Sequence, residues 1–154
     1  METITRVIDS DSEMVAFGEQ LGRIFAHHTG PLSVHLIGNL GAGKTTLTRG
    51  ILRAFGHEGA VKSPTYTLVE AYELPARRVY HFDLYRLGDP EELEYMGIRD
   101  YFIEHNLCLL EWPERGEGVL PAPDVIVNIA VQGAGRRVAL QVSDAALQAQ
   151  LAHC

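Results

Sequence analysis

One stretch restricts this chain more than any other: Gly38-Asn39-Leu40-Gly41-Ala42-Gly43-Lys44-Thr45, set between two apolar-patterned segments. It satisfies the pattern Gly-x-x-x-x-Gly-Lys-Ser/Thr. The glycines permit dihedrals that turn successive backbone amides toward an anion, and they let phosphate oxygens approach without meeting a Cβ. A helix that follows such a loop adds its N-terminal amides and positive dipole end. Residues 32–37 read as a buried strand, and residues 44–55 as a helix with Leu47, Ile51 and Leu52 apolar and Gly56 at its C-terminal end. Strand, glycine loop, helix is the frame the motif requires. It predicts a nucleoside-triphosphate site in which Asn39, Leu40, Gly41, Ala42, Gly43, Lys44, Thr45 and Thr46 hold the phosphates. Lys44 is placed to reach the β- and γ-phosphates and the Thr45 hydroxyl to bind Mg²⁺.

The base is read by elimination. A GTP site normally carries Asn-Lys-x-Asp, but the only lysines are Lys44 and Lys62, and neither follows an asparagine. ATP is therefore favoured. A Mg²⁺–nucleotide site also needs a carboxylate at a strand end. Asp83 closes Val79-Tyr80-His81-Phe82-Asp83, and Glu111 closes Leu107-Cys108-Leu109-Leu110-Glu111. The second run is continuously apolar, as expected for a central strand beside the phosphate loop. One carboxylate is expected to ligate the metal and the other to orient it or the attacking water. Trp112 is a candidate shield over the nucleotide or a partner contact. Ser63-Pro64-Thr65 offers two hydroxyls on a stiffened loop, and Thr65 is a candidate sensor of the γ-phosphate. The pairs Arg77-Arg78 and Arg136-Arg137 lie near turns, where solvated hairpin ends are the default, with a nucleotide contact from the second pair possible.

The remaining elements follow from pattern. Ser10-Asp11-Ser12-Glu13 fits a capping box opening a first helix. Residues 61–73 and 78–85 read as extended runs able to pair as a hairpin. A helix starts near Asp89, and a second short helical stretch covers 99–104. Residues 113–123 read as a loop, and residues 124–131 and 137–142 as a second hairpin. A short helix follows Asp144. These predict one domain over residues 1–154, of α/β class, a P-loop NTPase-like mixed sheet flanked by helices. With 20 acidic residues against 13 Lys and Arg, the net charge is −7, which disfavours a broad grip on nucleic acid. Two isolated cysteines, no apolar run of membrane-spanning length and no signal-like core in residues 1–8 predict a cytoplasmic protein without a membrane partner.

Four blocks occur in one order and spacing: residues 38–46, Val61-Lys62-Ser63-Pro64-Thr65-Tyr66, His81-Phe82-Asp83-Leu84-Tyr85-Arg86-Leu87 and Leu110-Glu111-Trp112-Pro113. Together they resemble the TsaE (YjeE) family of small bacterial ATPases. The segment Asp89-Pro90-Glu91-Glu92-Leu93-Glu94-Tyr95-Met96-Gly97-Ile98-Arg99-Asp100-Tyr101 extends the likeness. The resemblance implies a weak Mg²⁺-dependent ATPase acting with TsaB and TsaD in synthesis of tRNA threonylcarbamoyladenosine. This subunit would meet tRNA only indirectly, through that complex. It also implies Thr45 and Glu111 as Mg²⁺ ligands, and it matches Asp83 and Trp112 to the family's own Asp and Trp. The chain carries no obvious arginine finger, so a partner is expected to complete the site. Two other readings remain open: a P-loop small-molecule kinase, though no Arg-rich lid segment is present, and a nucleotide-dependent switch or binding module.

Overall fold

The computed structural model describes residues 3–154. Seven strands form one mixed sheet: β1 (Thr3–Ile8), β2 (Leu32–Ile37), β3 (Val69–Glu73), β4 (Arg78–Asp83), β5 (Leu107–Glu111), β6 (Val125–Gln132) and β7 (Gly135–Val142). Their order is β1-β7-β6-β2-β5-β4-β3. The four central strands β6, β2, β5 and β4 run parallel, and β1, β7 and β3 are antiparallel additions. All five residues of β5 are buried, as its unbroken apolar run requires of a strand covered on both faces. The register pairs Leu36 with Glu111 and Asp83 with Glu111, so both candidate carboxylates end neighbouring strands beside the phosphate loop.

Helices α1 (Asp11–His27) and α2 (Lys44–Ala54) cover one face, with α4 (Ala145–Leu151) against β7 and α1. Phe25, Leu21, Leu47, Ile51, Leu36 and Leu109 are wholly buried there, each contributing about 1.5–3 kcal/mol of apolar burial. Glycines bring α1 and α2 together: a Cβ at Gly18 would lie 2.5 Å from the Leu47 carbonyl oxygen. That close approach sets the pitch of α2 and hence of the phosphate loop. The other face of β4 and β5 is covered by α3 (Glu91–Tyr95) and two short 3-10 turns, Ile98–Tyr101 and Pro113–Gly116, around Phe82, Leu84, Leu93 and Leu110.

The capping box forms in shifted register. Ser10 Oγ accepts from Glu13 N (3.1 Å), while Glu13 reaches back to the Asp9 amide (2.6 Å), one residue before the cap. Other expectations change more. Strand β1 was not expected; its polar-rich Thr3-Ile4-Thr5-Arg6 pattern suits an edge strand, half open to water. The extended run 61–73 is a strand only from Val69, because Ser63–Leu68 loops over the end of β4. Strand β4 stops at Asp83, where Leu87 N bonds Leu84 O (3.0 Å) and turns the chain.

Arg77 is not a solvated hairpin end. It is 3% exposed, and its guanidinium donates to the carbonyls of Phe25, His28, Gly30, His105 and Asn106. A cation there satisfies carbonyls orphaned at the C-terminus of α1 and complements its dipole.

Candidate functional site

The phosphate loop turns out of β2 into α2. Gly43 caps α2 at φ 117°, a left-handed conformation open to glycine, and offers no side chain to the first helical amides. Those N–H groups lie where an anion would meet them. Arg136, at the cleft wall, braces the loop: its Nε donates to Ala42 O (2.8 Å) and a terminal nitrogen to Gly41 O (3.3 Å). Because N–H and C=O oppose each other across a trans peptide, the Gly43 amide points away from Arg136. Ala42 N bonds Asn39 O (3.0 Å), closing the turn at the loop's tip.

A cleft of about 500 Å³ opens in front of the loop. Of the expected residues, Leu40, Gly41, Gly43, Lys44, Thr45, Thr46, Thr65, Asp83, Glu111 and Trp112 line it. Asn39 and Ala42 do not. They shape the loop through its backbone, and the Ala42 side chain is buried against the core. Asp11, Tyr85 and Arg86 also line the cleft; they lie within the capping-box and His81–Leu87 blocks, but no sequence reading assigned them a role in the site.

Lys44 is 4% exposed, yet its Nζ has no hydrogen-bond partner among the described residues. It stands 4.1 Å from the centroid of the Trp112 ring. Burial pushes its pKa below the ordinary 10.5, while Glu111 and Asp83 pull it back up. A buried ammonium without an acceptor is costly, so the site favours an anion that can pair with it. Trp112 itself sits at φ 57°, a strained conformation for an aromatic residue, and its ring packs 5.0 Å from that of Tyr85.

The two carboxylates are held differently. Asp83 Oδ2 accepts from Ser63 Oγ and from Thr65 Oγ1 (3.0 Å), and Oδ1 accepts from the Tyr85 amide (3.0 Å). Asp83 thus straps the Ser63-Pro64-Thr65 loop to the end of β4. Glu111 Oε2 bonds His81 Nε2 at 2.6 Å, and both side chains are buried. An ionised carboxylate only accepts, so Nε2 carries the proton and orients the carboxylate.

The donor set fits a magnesium ion held with a nucleotide. Mg²⁺ takes one or two protein oxygens and completes its octahedron with phosphate oxygens and water. One hydroxyl (Thr45) and one strand-end carboxylate would supply that, and such a site does not call for a cluster of three ligating His, Cys, Asp or Glu side chains, of which the described residues hold none.

The family model described as threonylcarbamoyl adenosine biosynthesis protein TsaE matches residues 8–139. A Haemophilus influenzae protein named tRNA threonylcarbamoyladenosine biosynthesis protein TsaE is 52% identical over 142 residues, covering 91% of this chain and 90% of that one. Proteins of the same name are 34% identical in Rickettsia bellii (86% of this chain, 90% of that one) and 38% identical in Bacillus subtilis (66% and 63%). The crystal structure of Bacillus subtilis YdiB superposes with a TM-score of 0.82 over 99% of this chain and 95% of that one, at 24% identity, a likeness of fold. With the family model spanning most of the chain and the Haemophilus protein matched nearly end to end, the chain belongs to the TsaE family of threonylcarbamoyl adenosine biosynthesis proteins.

Proposed function

We propose that the chain binds ATP with Mg²⁺ in this cleft and hydrolyses it slowly, as the ATPase component that works with TsaB and TsaD in forming threonylcarbamoyladenosine in tRNA. The observation that carries this reading is Lys44 Nζ, buried and unpartnered, at the start of a helix whose first amides have no side-chain cap. The loop amides and Lys44 bind the phosphates. Thr45 and Glu111 hold Mg²⁺, with His81 fixing the Glu111 carboxylate. Bound Mg²⁺ supplies charge neutralisation at the phosphate oxygens. Asp83 keeps Ser63 and Thr65 at the mouth of the cleft, where they can respond to the terminal phosphate. Phosphoryl transfer to water needs positioning and charge more than covalent help. The net charge of −7 fits a subunit that meets tRNA only through its partners. Two free cysteines fit a reducing cytoplasm.

The test is calorimetric titration with ATP and Mg²⁺, followed by phosphate release measured with and without TsaB–TsaD. Binding, with hydrolysis accelerated by the partners, is expected. Absence of binding overturns the nucleotide assignment, and unstimulated hydrolysis overturns partner completion. Phosphate appearing on a small acceptor would favour the kinase reading instead.

A further inference from the structure

Three cationic side chains line the cleft among the described residues: Lys44, Arg86 and Arg136. They are not equivalent. Arg136 is committed to the backbone, with its three nitrogens on the carbonyls of Ala42, Gly135 and Gly41. Lys44 is rooted in the first turn of α2. Arg86 is exposed, and its contacts are with Tyr66: the guanidinium carbon lies 4.4 Å from the ring centroid, and a terminal nitrogen donates to the hydroxyl at 3.3 Å. Tyr66 is itself 82% exposed, so this stack stands in water. A solvated cation–π contact is weak beside a charge-assisted, two-pronged bond from guanidinium to phosphate.

The backbone beneath Arg86 is firm. Leu84 and Leu87 flank it, both buried, and the Leu87 amide closes a turn on Leu84 O at 3.0 Å. The side chain can therefore swing from Tyr66 into the cleft without moving the chain. Charge favours the swing. Asp11, Asp83 and Glu111 balance the three cations in the cleft, and one Mg²⁺ offsets only part of a triphosphate's negative charge, so a further cation at the phosphates is favoured. Nucleotides with two and three phosphates differ by one terminal group, and Arg86 is the lining cation whose present partner is most easily exchanged for it.

We propose that Arg86 is a specificity-determining residue that leaves Tyr66 to pair with the terminal phosphate, so that the site distinguishes a nucleoside triphosphate from a diphosphate. This rests on the nucleotide reading of the cleft given above. Its consequence is a link between nucleotide state and the surface. Tyr66 adjoins Thr65 on the loop strapped to Asp83, so Arg86 released from Tyr66 frees the exposed ring.

The experiment measures, by calorimetry with Mg²⁺, the affinities of ADP and of the non-hydrolysable β,γ-imido analogue of ATP. The proteins are the wild type, Arg86→Ala, Arg86→Gln, Arg86→Lys and Tyr66→Ala. Either neutral variant is expected to weaken the triphosphate analogue by roughly tenfold or more while leaving ADP within about twofold. Arg86→Lys recovers only part, because an ammonium lacks the planar fork. Tyr66→Ala leaves the preference intact or widens it. If the neutral variants leave both affinities unchanged, or lower both equally, the assignment to the terminal phosphate is wrong although the cleft binds nucleotide. If the wild type binds neither nucleotide, the reading of the cleft fails and Arg86 falls with it.

Discussion

Lys44 Nζ stands 4.1 Å from the centroid of the Trp112 ring with no hydrogen-bond acceptor in reach among the described residues. Two elements of different parts of the chain thereby share one buried charge: the first residue of α2, and the residue that follows β5. Replacing Lys44 by Met keeps the stem's packing and removes that charge. The expected outcome is a melting temperature equal to or a few degrees above wild type, with nucleotide affinity lowered by roughly 100-fold or more. Thermal scanning and calorimetry check both halves.

Trp112 is the only tryptophan, so its emission reports this contact directly. Phosphate that draws Lys44 off the ring is expected to change the emission, and Lys44→Ala is expected to show an altered spectrum before any nucleotide is added. The φ of 57° gives a second handle. Trp112→Gly should be more stable than Trp112→Ala by about 1 kcal/mol, because glycine alone meets no Cβ penalty there. Chemical denaturation of the two variants measures the difference.

Asp83 and Glu111 are adjacent across β4 and β5 but have different partners. Glu111→Gln is expected to raise the Mg²⁺ concentration needed for half-maximal nucleotide binding by roughly tenfold. Asp83→Asn is expected to change it less and to loosen the Ser63–Thr65 loop, seen as faster amide exchange there. The reverse order in a magnesium titration would exchange the two roles.

Arg77 joins the end of α1, the following loop and the segment entering β5. Arg77→Ala leaves buried carbonyls unpaired and should cost about 3–5 kcal/mol, a fall of roughly 10 °C in melting temperature. Arg77→Lys should recover only part of it, since three tetrahedral donors cannot reproduce the planar fork. Nucleotide affinity at low temperature should be unaffected in both.

Burial pushes the Cys108 thiol from 9.0 up to about 12. Below pH 9 the folded and unfolded chains both keep the proton, and the group is neutral to stability. Above pH 9 the unfolded chain releases it while the folded chain holds it until about pH 12. Stability therefore falls with rising pH in that window, by up to about 1.4 kcal/mol per pH unit. Cys108→Ala should flatten that slope in denaturant titrations at pH 9–11 relative to wild type.

Local sequence determined the parts whose instructions are contiguous. The phosphate loop, the strand before it and the helix after it were legible because glycine spacing and apolar period act over a few residues. So were the strand-end carboxylates Asp83 and Glu111, because an alternating or an apolar strand pattern that stops at an acid marks a strand reaching a polar edge. Strand β1 was not legible, since an edge strand buries only alternate residues and its register comes from β7, some 130 residues later. Tertiary structure alone decided which acid holds the hydroxyl loop and which is held by His81. It also sank Arg77 into a nest of carbonyls and bound Arg136 to the carbonyls of the phosphate loop while Arg86 stayed on Tyr66. Each of these joins residues distant in sequence, by 18 positions for Thr65 and Asp83 and by 94 for Arg136 and Ala42. Propensity and periodicity act along the chain and carry no information about such pairs. Only the folded sheet, by stacking its parallel strand ends at one edge, brings them within hydrogen-bonding distance.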